Sequence, residues 1–108
     1  MPDGDSVSTE ASESAETPLE RAVVALRGMA YEHRLSILVL LHDGEHTPAT
    51  LAAVIPAEQT ALAHHLRFLR DARLIHRRRR GRHVYYTLRS EATRRLVAEV
   101  MRYAQDPS

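Results

Sequence analysis

The stretch TALAHHLRFLRDARLIHRRRRGRHVYYTL, from Thr60 to Leu88, decides the fold because its hydrophobic period changes along it. Leu62, Leu66 and Leu69 recur at helical spacing, which predicts a helix with one buried stripe. The segment VYYTL then alternates, as a half-buried strand does, and five arginines precede it. A glycine between two of these arginines can take the positive φ of a tight turn. The stretch therefore predicts a helix followed directly by a basic β-hairpin.

A shorter helix is predicted just upstream of this stretch. Thr47 is a suitable N-cap residue, and Pro48 suits the first turn of a helix that extends to about Val54. This helix ends before Pro56, because the residue that precedes a proline disfavours the helical conformation. A second helix is expected over residues 57–72. This arrangement is a helix-turn-helix, whose second helix enters the major groove with its N-terminal half leading.

The second helix and the hairpin carry side chains suited to nucleic acid. Gln59 can pair with adenine through two hydrogen bonds, and Thr60 can bond a base or touch a thymine methyl group. His64 and Arg67 lie one and two turns further along and face away from the leucine stripe. The arginines of the hairpin would form a wing that contacts phosphates or an adjacent minor groove. The candidate DNA-binding residues are Thr47, Gln59, Thr60, Ala63, His64, Arg67, Arg77, Arg79, Arg80 and Arg82.

The flanking sequence completes a mainly α domain. Residues 1–17 are rich in Ser, Glu, Asp and Ala and predict a disordered acidic tail, because they offer little apolar surface to bury. A helix over residues 18–27 is followed by a second one that stops at Asp43 and Gly44, and Ser90 suits the N-cap of a last helix. The predicted order is α-α-α-α-β-β-α. It describes a winged helix-turn-helix, with a two-stranded β-hairpin wing, over residues 18–108.

The composition excludes several classes of protein. The chain of 108 residues contains no cysteine, which removes disulfides, zinc–thiolate sites and thiol catalysis. No apolar run is long enough to span a bilayer. No His-Glu-x-x-His motif, phosphate-binding glycine loop or Ser/His/Asp arrangement occurs. We predict a soluble, cytoplasmic protein that does not act on a membrane and is not an enzyme.

The net charge of +1 conceals a strong asymmetry. The first 16 positions hold five acidic and no basic residues, so the rest of the chain carries 15 basic and nine acidic residues. Every basic residue is arginine, which suits bidentate contacts to phosphate and guanine. The cluster over residues 77–82 predicts binding to double-stranded DNA. The competing interpretation is a basic module that binds an acidic protein partner without sequence preference.

The segments HRLSILVLLHDGEHTPATLA, QTALAHHLRFLRDARLI and RRRRGRHVYYTL resemble the winged helix-turn-helix of the ArsR/SmtB family of bacterial transcriptional regulators. The resemblance covers roughly residues 18–104. It implies a homodimer, built from the first and last helices, that binds a near-palindromic operator. The last helix agrees, because its apolar stripe has no obvious partner within so small a chain. The expected dimer-interface residues are Leu19, Val23, Leu26, Leu96, Val100 and Tyr103.

Three features depart from the usual pattern of that family. Ala63 replaces a common serine, which removes a hydroxyl group that could reach DNA. Arg73 stands where a glycine usually follows the second helix, and arginine costs about 1 kcal/mol or more if that backbone is left-handed. Tyr31, Glu32 and His33 replace a common Asp-Pro-Thr. None of these departures conflicts with the fold.

The well-known inducers of the resembled family are metal or metalloid ions, but its two common sites do not carry over. The cysteine-based site of the third helix is absent, and the last helix has no histidine for an Asp/His/Glu site. The best remaining cluster for nickel or zinc is His42 and His46, with Asp43 and Glu45 nearby, unless these are simply two exposed loop histidines. If no metal binds, the regulator would respond to a different small ligand or to a sensing partner protein.

The remaining histidines form no obvious chelating pair. His64 and His65 are adjacent, and neighbouring helical residues point about 100° apart. We expect His64 to face DNA and His65 to pack at the flank of the helix. His76 and His83 approach each other only if the hairpin register brings them together, which the sequence leaves open.

Overall fold

The structure is a computed structural model that describes residues 16–107. The predicted order α-α-α-α-β-β-α is confirmed. No helix in this range has the length and apolar character needed to cross a membrane. The elements are α1 (Pro18–Met29), α2 (Glu32–Asp43), α3 (Pro48–Val54), α4 (Gln59–Asp71), β1 (Ile75–Arg80), β2 (His83–Leu88) and α5 (Glu91–Gln105).

Side-chain caps mark the starts of α1, α3 and α5. The Thr17 hydroxyl accepts a hydrogen bond from the Glu20 backbone N–H at 3.1 Å, and the Glu20 carboxylate accepts one from the Thr17 N–H at 2.9 Å. Thr47 and Thr50 cap α3 in the same reciprocal way. These bonds satisfy backbone donors that have no partner inside the helix. The start of α3 and the end of α2 before Gly44 follow the sequence prediction, whereas α1 continues to Met29, two residues past its predicted end.

The predicted acidic tail, residues 1–17, lies outside the described residues except for its last two positions. Thr17 is the cap of α1. The Glu16 carboxylate lies 3.7 Å from the guanidinium group of Arg73, which follows α4. The folded domain therefore includes the cap residue that precedes Pro18.

The core fills the space between α2, α4 and the base of the hairpin. Leu62, Leu66 and Leu69 of α4 are buried as predicted. Burial of a leucine side chain stabilises the fold by roughly 1.5–3 kcal/mol, so this stripe fixes the orientation of α4 and leaves the opposite side to solvent. The other buried apolar residues are Met29, Ile37, Leu38, Leu41, Leu51, Ile55, Leu74, Ile75, Tyr86, Leu88 and Val97.

A buried arginine joins α1, α2 and α4. Arg34 donates hydrogen bonds to the carbonyl oxygens of Gly28 at 2.8 Å and Arg27 at 2.9 Å. Its guanidinium group lies 4.5 Å from the ring centroid of Tyr31 and 4.0 Å from that of Phe68. The buried charge is thus hydrogen-bonded to carbonyl groups at the C-terminal end of α1, where the helix dipole favours a cation.

The hairpin has one register and is anchored at its outer edge. Arg80 pairs with His83 around a tight turn, and Gly81 takes φ 62° there, as predicted. On the other side of β2, His46 N–H donates to the Tyr86 carbonyl at 3.1 Å, and Tyr86 N–H donates to the His46 carbonyl at 2.8 Å. β2 therefore lies between β1 and the loop that joins α2 to α3.

The connection from α4 to β1 has a left-handed residue. Arg73 has φ 63°, the only positive φ of a non-glycine residue in the described range. Its N–H donates to the Arg70 carbonyl at 2.9 Å, and the Leu74 N–H donates to the Leu69 carbonyl at 3.0 Å. These two bonds define a Schellman motif, which usually has glycine at the left-handed position. Arg73 therefore has the left-handed backbone in which an arginine costs about 1 kcal/mol or more.

Candidate nucleic-acid interface

The outer side of α4 carries side chains that are open to a ligand. Gln59 is the first residue of the helix, which begins two residues later than predicted, because the backbone of Glu58 is extended. Thr60, His64 and Arg67 are also exposed, and so is Ala63 between them. Within residues 16–107, no hydrogen bond or ion pair involves the side chain of Gln59, Thr60 or Arg67. This side of the helix can therefore contact a partner without breaking internal bonds.

Thr47 differs from the candidates on α4. It is half-buried, and its hydroxyl accepts a hydrogen bond from the backbone N–H of Thr50 at 3.1 Å. The structure therefore gives this predicted DNA-binding residue a capping role at the start of α3.

The arginines of the wing divide between two faces of the hairpin. Side chains of consecutive strand residues point to opposite faces, and paired residues share a face. Arg77 and Arg79 therefore share one face of the hairpin, and the base of that face packs on the core. Arg78 and Arg80 lie on the other face with Tyr85. All four arginines are exposed, so the run in the sequence forms two basic surfaces.

Arg80 alone among these arginines has an acidic partner within the described residues. Its Nη2 donates to Oε2 of Glu45 at 2.5 Å, and its guanidinium group lies 4.0 Å from the ring centroid of Tyr85. The hydrogen bond to Glu45 raises the pKa of Arg80 above its ordinary value. This role of Glu45 was not predicted from the sequence, because Glu45 lies 35 residues away from Arg80 along the chain.

His65 is buried on the inner flank of α4, whereas His64 is exposed. The ring of His65 lies 5.8 Å from that of Tyr31 and 6.0 Å from that of His33. Its Nδ1 atom has no hydrogen-bond partner in the described part of the chain. Burial, followed by the positive charge of Arg34, lowers the pKa of His65 below 6.5. We therefore expect the neutral imidazole at pH 7.

The candidate metal ligands are used in other contacts. His46 places Nδ1 2.9 Å from the Thr50 hydroxyl oxygen, and Nδ1 of His42 lies 3.7 Å from the Asp43 carboxylate. Among residues 16–107, no group of three or more His, Asp or Glu side chains is arranged to hold a metal ion. The described residues therefore do not fit the nickel or zinc site considered from the sequence, and no functional step is assigned to a metal.

The register of the hairpin also separates the remaining histidines. His76 pairs with Thr87, whereas His83 pairs with Arg80. These pairs are four positions apart, which corresponds to about 13 Å along a strand. His76 and His83 therefore do not form a common site within one hairpin.

The predicted dimer-interface residues differ in exposure. Leu96 and Val100 are half-buried and pack against the core of their own chain. The fully buried side of α5 is formed by Thr93 and Val97, which sequence analysis did not assign to the core. The other expected interface residues, which are 38% to 83% exposed, are Leu19, Val23, Leu26 and Tyr103.

Comparisons with known proteins agree with this arrangement. A family model described as bacterial regulatory protein, arsR family, matches residues 32–77. The transcriptional activator HlyU of Vibrio cholerae is 38% identical over 77 residues, which are 71% of each chain. A transcriptional repressor SmtB homolog of Synechocystis is 36% identical over 78 residues, which are 72% of this chain and 59% of that protein.

Solved structures share the fold. The structure of HlyU from Vibrio cholerae superimposes with a TM-score of 0.76 at 35% identity, covering 82% of this chain and 96% of that one. The homodimeric winged helix-turn-helix DNA-binding domain of Mb0332 from Mycobacterium bovis has a TM-score of 0.76 at 29% identity, covering 82% of each chain. The winged helix-turn-helix fold predicted from the sequence is confirmed.

Proposed function

The chain belongs to the arsR family of bacterial regulatory proteins, and we propose that it binds a near-palindromic operator as a homodimer. The observation that carries the proposal is the exposed, unpaired outer side of α4 beside an arginine-rich wing. A helix of this kind fits the major groove, where each base pair presents its own pattern of donors and acceptors. The operator would thus be distinguished from other DNA by its base edges.

The N-terminal half of α4 would read the bases. Gln59 can form two hydrogen bonds with adenine, and Thr60 can bond a base or contact a thymine methyl group. Ala63 lies one turn further along the same exposed side, and its methyl group can also contact thymine. His64 and Arg67 extend this surface. We propose that these five side chains supply the sequence preference.

The wing would bind the phosphate backbone and set the position of α4. Arg79 and Arg82 are exposed and have no ion-pair partner among residues 16–107. Contacts from arginine to phosphate fix the protein on the duplex and carry no direct sequence information. They release counterions, so the affinity that they contribute decreases as salt rises.

The homodimer would form through the exposed apolar residues of α1 and α5. A two-fold dimer presents two α4 helices, so each half of a near-palindromic operator meets the same side chains. Leu26→Glu should dissociate the dimer, because Leu26 is 57% exposed in one chain and a dimer would bury it. Sedimentation velocity measures this change. The matched control is Val54→Glu, since Val54 is 60% exposed but lies on α3.

DNA binding itself can be tested by fluorescence anisotropy. A labelled duplex from the region upstream of the gene is titrated with protein in the presence of a chelator, alongside a scrambled duplex. We expect tight binding of the native duplex with two chains per site. Equal binding of both duplexes would support the basic interaction module instead.

The signal that controls binding is tested in the same titration. Addition of nickel or zinc should leave the affinity unchanged if the described residues determine the response, because they hold no three-ligand site. A shift would assign a metal site to residues outside 16–107 or to the dimer interface. With no shift, a different small ligand or a sensing partner protein remains the proposal.

A further inference from the structure

We propose that Glu45 acts as an internal substitute for a DNA phosphate, which occupies Arg80 in the free protein and weakens binding to non-operator DNA. The inference rests on the proposed DNA-binding function. It assigns to an acidic residue in the loop between α2 and α3 a role in limiting binding to non-operator DNA.

The geometry of the pair resembles that of an arginine–phosphate contact. The Glu45 carboxylate accepts a hydrogen bond from Arg80 Nη2 at 2.5 Å, while the Tyr85 ring supports the guanidinium group from one side. Arginine recognises carboxylate and phosphate oxygens through the same planar array of donors. A phosphate that binds Arg80 through Nη2 must therefore displace Glu45.

Glu45 is held in place by the backbone around it. The neighbouring residue, His46, makes two backbone hydrogen bonds with Tyr86, at 2.8 and 3.1 Å. These bonds keep the loop against β2 whether or not the carboxylate is present. The ion pair is consequently not needed to attach the wing to the rest of the domain.

The pair is accessible to DNA. The Arg80 side chain is 60% exposed and that of Glu45 is 42% exposed, and the groove beside them is also lined by Arg78 and Tyr85. Within the described chain, Arg77, Arg78, Arg79 and Arg82 have no acidic partner. Of the wing arginines, Arg80 alone is therefore neutralised before DNA arrives.

Displacement of Glu45 has an electrostatic consequence. When Arg80 moves to a phosphate, one ion pair replaces another, and the released carboxylate is left beside the negatively charged duplex. Like charges repel, so the exchange gains little affinity, and on non-operator DNA Arg80 stays with Glu45 and contacts no phosphate. Base contacts from α4 favour the operator, whereas other DNA offers no such compensation.

The test is a double-mutant cycle with Glu45→Gln and Arg80→Gln, measured on a scrambled duplex at several salt concentrations. We expect E45Q to tighten binding severalfold and to steepen the slope of log affinity against log salt by about 0.9 per chain, or about 1.8 per dimer. In the R80Q background, E45Q should leave the slope unchanged, because no arginine is released. Unfolding by urea should be the same for E45Q and the wild type.

The control is Asp43→Asn, which removes the same charge from an exposed position two residues away that contacts no wing arginine. D43N should not change the salt slope. An E45Q slope equal to that of the wild type would overturn the inference, and so would an equal effect of E45Q in the wild-type and R80Q backgrounds. Wild-type protein that binds neither the native nor the scrambled duplex would instead overturn the proposed DNA-binding function.

Discussion

Helix α4 and the wing are the two basic regions of the DNA-binding candidate surface, and they differ in how their side chains are held. The outer side chains of α4 are exposed, and those of Gln59, Thr60 and Arg67 have no internal bond in the described part of the chain. The wing arginines lie on two faces, and Arg80 is already paired with Glu45. A continuous run of charge in the sequence is therefore not a uniform surface in the fold.

The difference has a simple physical origin. The outer side of α4 is set by the leucine stripe, since burial of one side of a helix exposes the opposite side. The environment of a wing arginine depends on strand register and on the loop between α2 and α3. We therefore expect substitutions in α4 to change sequence preference and substitutions in the wing to change general affinity.

The largest effect is expected from the unpaired wing arginines. Arg79→Ala with Arg82→Ala should weaken binding to native and scrambled duplexes alike, on the order of a hundredfold or more at 0.1 M salt. The salt slope should fall by about 3.6 per dimer, because two contacts are lost per chain. Anisotropy at several salt concentrations measures both quantities. Arg80→Ala is the comparison. A loss of salt slope per residue as large as that for Arg79 and Arg82 would contradict the distinction between paired and unpaired wing arginines.

The next effect is expected at the leading end of α4. Gln59→Ala should reduce the preference for the native duplex over the scrambled one by about 1–3 kcal/mol, because two hydrogen bonds to a base are lost. The salt slope should not change, since no phosphate contact is removed. Competition binding with both duplexes gives the ratio, and Gln105→Ala at the end of α5 is the control. An unchanged ratio for Gln59→Ala would show that this residue does not read a base.

A smaller effect is expected at the junction between α4 and the wing. Arg73→Gly should stabilise the protein by about 1 kcal/mol, because φ 63° is unfavourable for a residue with a Cβ atom. Urea unfolding at a fixed protein concentration measures the change. Arg70→Gly within α4 should have the opposite sign and lower stability by roughly 1 kcal/mol. A loss of stability in Arg73→Gly would show that the ion pair of Arg73 with Glu16 outweighs the backbone strain.

The smallest effect is expected from the buried side of α4. The pKa of His65 is lowered in the folded protein. As the pH falls below about 6.5, His65 therefore becomes protonated in the unfolded chain before it does so in the folded one, and the stability of the fold decreases in the same range. The loss cannot exceed about 1.4 kcal/mol per pH unit. Urea unfolding at pH 7.5 and 5.5 should show a weaker pH dependence in His65→Leu than in the wild type. His83→Leu, at the exposed wing, is the control, and equal pH dependence in His65→Leu and the wild type would refute the assignment.

The order of the elements could be predicted because its signals are local. Thr47 and Pro48 start α3, and Gly81 forms the turn of the wing, through contacts within a few residues of the chain. The burial of one side of α4 follows from the spacing of its leucines. The candidate base-reading residues could be proposed for the same reason.

Several features could not be predicted because they depend on residues far apart in the sequence. Arg80 was grouped with the other wing arginines from the sequence, whereas the fold brings Glu45 to it. The apolar face of α5 was predicted at Leu96 and Val100, whereas Val97 faces the core most fully. Neither helical periodicity nor strand alternation identifies which distant residues pack against a given face of a helix or strand.

The sequence by itself determined the succession of helices, the hairpin and the outward side of α4, since capping, turn and periodicity preferences act over three or four residues. Only the tertiary structure decided the hairpin register, the pairing of Arg80 and the contact of Arg34 with the rings of Tyr31 and Phe68. These features arise when separate elements pack together. Packing is set by the combined shape and burial of many side chains, which no short segment specifies.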